Sequence, residues 1–233
     1  MDINLTTVIL LCLTGFVAGG VNTVAGGGSN LTLPVLMMLG LPADLANGTN
    51  RVAVMLQCLV GVRGYDKHDS LERAAIGPIL VPTLLGGGLG AVLAALLPNL
   101  VLKPLLLGTI LCMTIVILIR PSMIAHPPGT QALSPSQSRS GWIGLFIAGL
   151  YGGFVQAGVG FILLAALAGG VGYDLLRANA LKTVCALAFT AVALCVFIVF
   201  DLVAWVPGLI VAAGSMTGAQ LAVKLAVRAS PEA

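Results

Sequence analysis

Charge is what this sequence has least of. Charged residues fill 8% of its 233 positions, against about a quarter in a soluble domain. So little charge cannot cover a water-facing surface, and a soluble globular fold is excluded. Hydrophobic residues make up 58% and the mean hydropathy is +1.08. Several apolar runs reach the roughly 20 residues that a ~30 Å hydrocarbon core demands. The expected fold is an all-α polytopic membrane protein. Its formal charge of +3 then concerns loop placement and the lipid bilayer, not nucleic acid. No Lys or Arg precedes the first apolar run, so it lacks the basic leader of a cleaved signal peptide and reads as a retained span.

Acidic residues inside the apolar runs are missing too. Asp44, Asp174 and Asp201 stand at segment ends, and both histidines are in loops. HExxH, GxSxG and P-loop motifs are absent, and "GGGLGA" (86–91) fits a dinucleotide fingerprint only loosely, with no strand before it. No catalytic residues and no cofactor are expected, so an enzyme is disfavoured. The five cysteines (Cys12, Cys58, Cys112, Cys185, Cys195) show no CxxC spacing and read as small packing residues, with no metal site.

The apolar runs divide into nine expected membrane segments: 5–25, 29–43, 46–62, 74–97, 102–119, 141–157, 160–173, 177–200 and 203–224. The second and seventh are shorter than a span. Charged residues, all the loop cations but Lys103 among them, collect at Arg63–Arg73, at Arg120–Arg139, at Arg177 and in the tail with Lys224 and Arg228. The positive-inside rule then places the N-terminus outside and the C-terminus in the cytoplasm. The stretch "HPPGTQALSPSQSRS" (126–140) reads as a connector. It divides a first transmembrane repeat (1–119) from a cytoplasmic connector (120–140) and a second repeat (141–233).

The halves resemble each other. "AGGG" (25–28) corresponds to "AGVG" (157–160), and the same shift pairs Gly40 with Gly172, Ala46 with Ala178 and Asn47 with Asn179. Five segments separate the equivalent starts, so the second half should be inverted relative to the first, as in many secondary transporters. The short segments should then meet near the middle of the bilayer.

Two constellations stand out. A backbone break in lipid costs several kcal/mol per unpaired group and survives where it lines a cavity or a ligand. The GxxxG pairs Gly15/Gly19, Gly86/Gly90, Gly149/Gly153 and Gly214/Gly218 need no more than helix packing. Gly26, Gly27 and Gly28, beside Asn22, exceed that need, and Gln156, Gly158 and Gly160 stand at the corresponding break. Free N–H groups there suit an anion. The second constellation is "LANGTNR" (45–51) and its counterpart "LRANALK" (176–182). Each carries an Asn (Asn47, Asn179) and, one turn on, a cation (Arg51, Lys182). Snorkelling to an interface is the bland alternative; cations inside a membrane segment usually face a pathway. With Thr49 and Asn50, these residues form the expected binding set for a small anionic substrate.

The stretch 15–51, "GFVAGGVNTVAGGGSNLTLPVLMMLGLPADLANGTNR", and its weaker echo from Gly149 to Lys182 resemble the sulfite exporter TauE/SafE family, also grouped as toluene-sulfonate uptake permeases. The resemblance implies a bacterial inner-membrane secondary transporter, an exporter working by alternating access. It would carry small sulfur-containing or organic anions such as sulfite, sulfonates or sulfoacetate. The second half stops where a tenth segment should begin; either the chain is naturally short or something else, such as a second copy in a homodimer, covers that flank. A passive anion channel is the main rival, and a membrane subunit that anchors partners ranks behind it.

Overall fold

The computed structural model describes residues 3–119 and 138–228. The part of the expected connector from 120 to 137 lies outside them. Among the described residues the fold is helical throughout: α1 (Leu5–Val24), α2 (Ser29–Met38), α3 (Ala43–Lys67), α4 (Arg73–Leu96), α5 (Asn99–Ile119), α6 (Arg139–Phe154), α7 (Val159–Leu164) with a π-helical continuation (Ala165–Val171), α8 (Leu175–Val199) and α9 (Trp205–Arg228). Four of these, α1, α4, α8 and α9, are long and apolar enough to cross a membrane. Length is no obstacle for α3 at 25 residues, but its sequence is more polar. Its polar turn, Asn47 to Arg51, is buried against protein.

Local chemistry sets the helix ends. Asn4 caps α1 by accepting from the Thr7 N–H (2.9 Å), Ser138 caps α6, and Asp174 caps α8 through the Arg177 N–H (3.0 Å). Helix α2 stops at Met38, earlier than the expected segment end at 43. Gly40 turns left-handed there (φ 98°), and Pro42 then caps the start of α3. Gly172 (φ 94°) ends the π-helical continuation in the same way.

The largest interfaces join α1 to α9 and α4 to α6, and α3 packs against α9 as α8 does against α4. The GxxxG glycines lie in these seams. A Cβ at Gly15 or Gly19 would strike the α9 backbone at Val211 and Ser215, and one at Gly214 or Gly218 would strike α1 at Cys12 and Phe16. The Gly86/Gly90 and Gly149/Gly153 pairs make the same close approach between α4 and α6. Helices α1 and α9 run in the same direction, as do α4 and α6.

Polar contacts sort the loops between two ends. At one end Arg73 pairs with Asp66 (2.9 Å), Arg177 reaches Glu72 (3.7 Å), and Ser138 donates to the Gly170 carbonyl (3.1 Å). The loops before α4 and before α8 therefore share a face. At the other end Asn99 and Asp44 bind each other through side chain and backbone, at 2.7 and 3.0 Å. Basic residues at the helix ends follow this division: Arg63, Lys67, Arg73, Arg139, Arg177 and Arg228 at the first end, Lys103 at the second.

Candidate functional site

Two helices stop inside the bundle, and their ends meet. The Ala25 and Gly26 N–H groups both turn back to the Val21 carbonyl (2.8 and 3.0 Å), with Gly26 left-handed (φ 91°). In the second half the Val155 and Gln156 N–H groups turn back to the Tyr151 carbonyl (2.8 and 3.3 Å), with Gln156 left-handed (φ 67°). Gly26 and Gln156 thus take the same position in turns of the same form, whereas the sequence match sets Gly26 against Gly158, two residues later. Gly158, also left-handed (φ 74°), opens α7. The two breaks touch: the Gly160 N–H donates to the Gly26 carbonyl (3.2 Å), and a Cβ on either residue would overlap the other's backbone. Beyond Gly26, the buried N–H groups of Gly27, Gly28 and Ser29 meet no acceptor among the described residues. Gly28 itself is pressed against the Ala18 carbonyl and Asn22.

Each buried cation serves the broken helix of the other half. Arg51 of α3 is wholly buried and donates to the last-turn carbonyls of α6, Gly152 (2.5 Å) and Gly153 (2.7 Å). It also lies 5.4 Å over the Phe197 ring. Asn47 supports it, accepting from Arg51 at 3.4 Å and donating to the Phe154 carbonyl at 2.9 Å. Lys182 of α8, 2% exposed, donates to the last-turn carbonyls of α1, Asn22 (3.3 Å) and Thr23 (3.0 Å), and to Asn179 Oδ1 (2.7 Å). A cation at a helix C-terminus meets both unpaired carbonyls and the negative end of the helix dipole. Neither charge faces a carboxylate, because no Asp or Glu is buried among the described residues.

Of the expected site residues, Asn22, Gly26, Gln156, Gly160 and Lys182 line one small cavity, with about 10 Å³ of room for the centre of a water-sized molecule. The others support its walls. Arg51 and Asn47 face α6 and do not line it. Asn50 ties α2 to α3 by donating to Ser29 (3.0 Å) and accepting from Thr32 (2.6 Å). Thr49 accepts from the Ala204 N–H at the entry to α9 (2.9 Å), and Asn179 holds Lys182. The cavity also takes in Gln57, Cys58 and Thr183, which the motif reading passed over. Gln57 was the available signal, a polar residue two turns beyond Arg51 inside an apolar run. Gln156 donates to Thr190 (2.8 Å), while its Oε1 is buried without a partner. Turned over, the amide would accept from the Thr190 hydroxyl and present its N–H₂ to the cavity.

A family model described as "Sulfite exporter TauE/SafE" matches residues 11–233. The chain belongs to the TauE/SafE family. This TauE/SafE protein is similar to a "Probable membrane transporter protein" of Haemophilus influenzae, 29% identical over 228 residues that cover 97% of this chain and 87% of that one. It is also similar to "Probable membrane transporter protein ORF9" of a Sinorhizobium species, at 24% identity over 226 residues, 97% of this chain and 85% of that one. No solved structure matches it. A TauE/SafE protein with four clear spanning helices is a membrane transporter, and the central cavity is its candidate pathway.

Proposed function

We propose that this TauE/SafE protein is an inner-membrane carrier of small sulfur-containing or organic anions, such as sulfite, sulfonates or sulfoacetate. The observation that carries the reading is a central cavity edged by the Lys182 ammonium, the Gln156 amide and two glycine breaks, with no buried carboxylate around it. An anion would select the Gln156 rotamer that donates, and would draw on the unspent N–H groups of Gly27 to Ser29. A sulfonate group needs more room than the cavity offers, so binding requires the breaks to part. That requirement favours alternating access over an open channel.

The two halves are proposed to act as inverted repeats. Three pairs of left-handed residues support this: Gly40 with Gly172, Asp69 with Asp201, and Gly26 with Gln156. So does the exchange of packing partners, α1 with α9 against α6 with α4. The basic end, with Arg63, Lys67, Arg73, Arg139, Arg177 and Arg228, is assigned to the cytoplasm. That orientation puts the N-terminus outside.

The test is purified protein in liposomes, offered sulfite, sulfoacetate, alkanesulfonates and carboxylates. Saturable uptake of one or more sulfur oxyanions, accelerated by the same anion on the far side, is expected. Flux indifferent to far-side substrate would make the protein a channel; no flux of any anion would overturn the reading.

A further inference from the structure

We propose that Lys182 carries the proton that couples anion movement to the proton gradient, one proton moving with each monovalent anion. This rests on the anion-carrier reading and adds the coupling ion and the group that holds it. Proton-coupled carriers commonly use carboxylates or histidines within the membrane. Here no Asp or Glu is buried among the described residues, and His68 lies in the loop after α3. Two buried cations are left, and they differ in chemistry. Arg51 keeps its proton under all working conditions, is turned toward α6, and stays off the cavity. Lys182 lines the cavity, and a buried lysine can exist as the neutral amine.

The surroundings of Lys182 fit that role. Its three acceptors, Asn22 O, Thr23 O and Asn179 Oδ1, are neutral, so the ammonium has no counter-ion until an anion enters. A buried charge without a counter-ion is costly. Anion binding therefore favours the protonated lysine, and loss of the anion favours loss of the proton. Both leave on the far side, the amine returns neutral, and no net charge crosses the membrane.

Other titratable groups on the neighbouring elements do not displace it. Cys58 of α3 lines the same cavity as Lys182, and Cys185 lies one turn further along α8. Tyr65 closes the far end of α3, and Tyr151 of α6 donates to the Ala157 carbonyl (2.6 Å). Cys12 of α1 is turned to Ile210 of α9, and Arg73 opens α4 in its exposed pair with Asp66. From Val159 to Val171, α7 and its continuation carry no titratable side chain.

The test uses ethanesulfonate, which stays anionic at every working pH, so any co-moving proton must ride on the protein. Liposomes are loaded for exchange at equal pH and, separately, for net uptake against a pH gradient. For the parent protein, an inward proton gradient should raise net uptake at least tenfold, with no response to membrane potential. Lys182→Arg should lose that response, and Cys195→Ser, at an exposed position of α8 away from the cavity, should keep it. Exchange without a gradient response in the parent would overturn the coupling and leave the carrier reading standing; no exchange of any sulfur oxyanion would remove the carrier reading itself. A full gradient response in Lys182→Arg would also overturn the proposal. Should that variant fail to fold, calorimetry of ethanesulfonate binding to the parent in buffers of different ionisation heat decides the matter. Proton uptake approaching one per anion at alkaline pH supports the proposal, and none refutes it.

Discussion

Replacing Arg51 by Gln removes a cation that the structure spends on holding a helix end. The guanidinium donates to the Gly152 and Gly153 carbonyls at 2.5 and 2.7 Å, in a site with no exposure. Hydrogen bonds to charged groups contribute about 1.5–3 kcal/mol each, so the two together are worth about 3–6 kcal/mol. Relief from burying a charge returns part of that, since several kcal/mol of hydration are lost when a cation enters the interior. A net destabilisation of about 2–4 kcal/mol remains. At roughly 2–4 °C per kcal/mol for a domain of this length, the melting temperature should fall by about 4–16 °C. Cys58 and Cys185 are buried and unpaired, so a thiol-reactive dye reports the transition in detergent. Lys67→Gln, at the end of α3, removes the same unit of charge and should leave the melting temperature unchanged. If Arg51→Gln melted with the parent and yet lost anion binding, Arg51 would be facing substrate, and the helix-end assignment would be wrong.

Adding one methyl group at Gly160 tests the contact between the breaks. The new Cβ would overlap the Gly26 backbone, so Gly160→Ala should cost about 1–3 kcal/mol from overpacking and slow exchange at least tenfold; parental transport would show that the breaks need not touch. Asn50→Leu cuts the ties to Ser29 and Thr32 and should loosen α2, seen as faster trypsin cleavage of the reconstituted protein and a lower substrate affinity. Unchanged affinity would detach α2 from the site.

Much of this arrangement was legible in the sequence because its signals are local. The glycine runs mark the breaks and the GxxxG spacings mark the seams, whereas the turn at Gly40 and Pro42 falls inside the expected second segment. Asn47 with Arg51 and Asn179 with Lys182 stood out as polar turns in apolar surroundings. What those cations hold was not legible, since the acceptors are backbone carbonyls more than 100 residues away in the chain. Any residue type supplies such a carbonyl. Likewise, Gln156 taking the left-handed position that glycine fills in the first half breaks the sequence match at that point. Only the turn geometry restores it. Thr190 was invisible because a threonine in an apolar helix ordinarily bonds its own preceding turn, and nothing in its neighbourhood points to Gln156.

The seam between α1 and α9 also has a consequence for synthesis. Helix α1 leaves the ribosome well before α9, and the partner that fills its Gly15/Gly19 notch begins at Trp205, 181 residues after Val24. At about 5–20 residues per second, α1 waits roughly 9–36 s in the bilayer with its notch uncovered. It is long and apolar enough to cross a membrane, but its C-terminal carbonyls stay uncapped until Lys182 arrives. The first half therefore spends its early life unfinished at both glycine and carbonyl. A membrane chaperone or the insertion machinery itself would find its natural client surface on that face of α1.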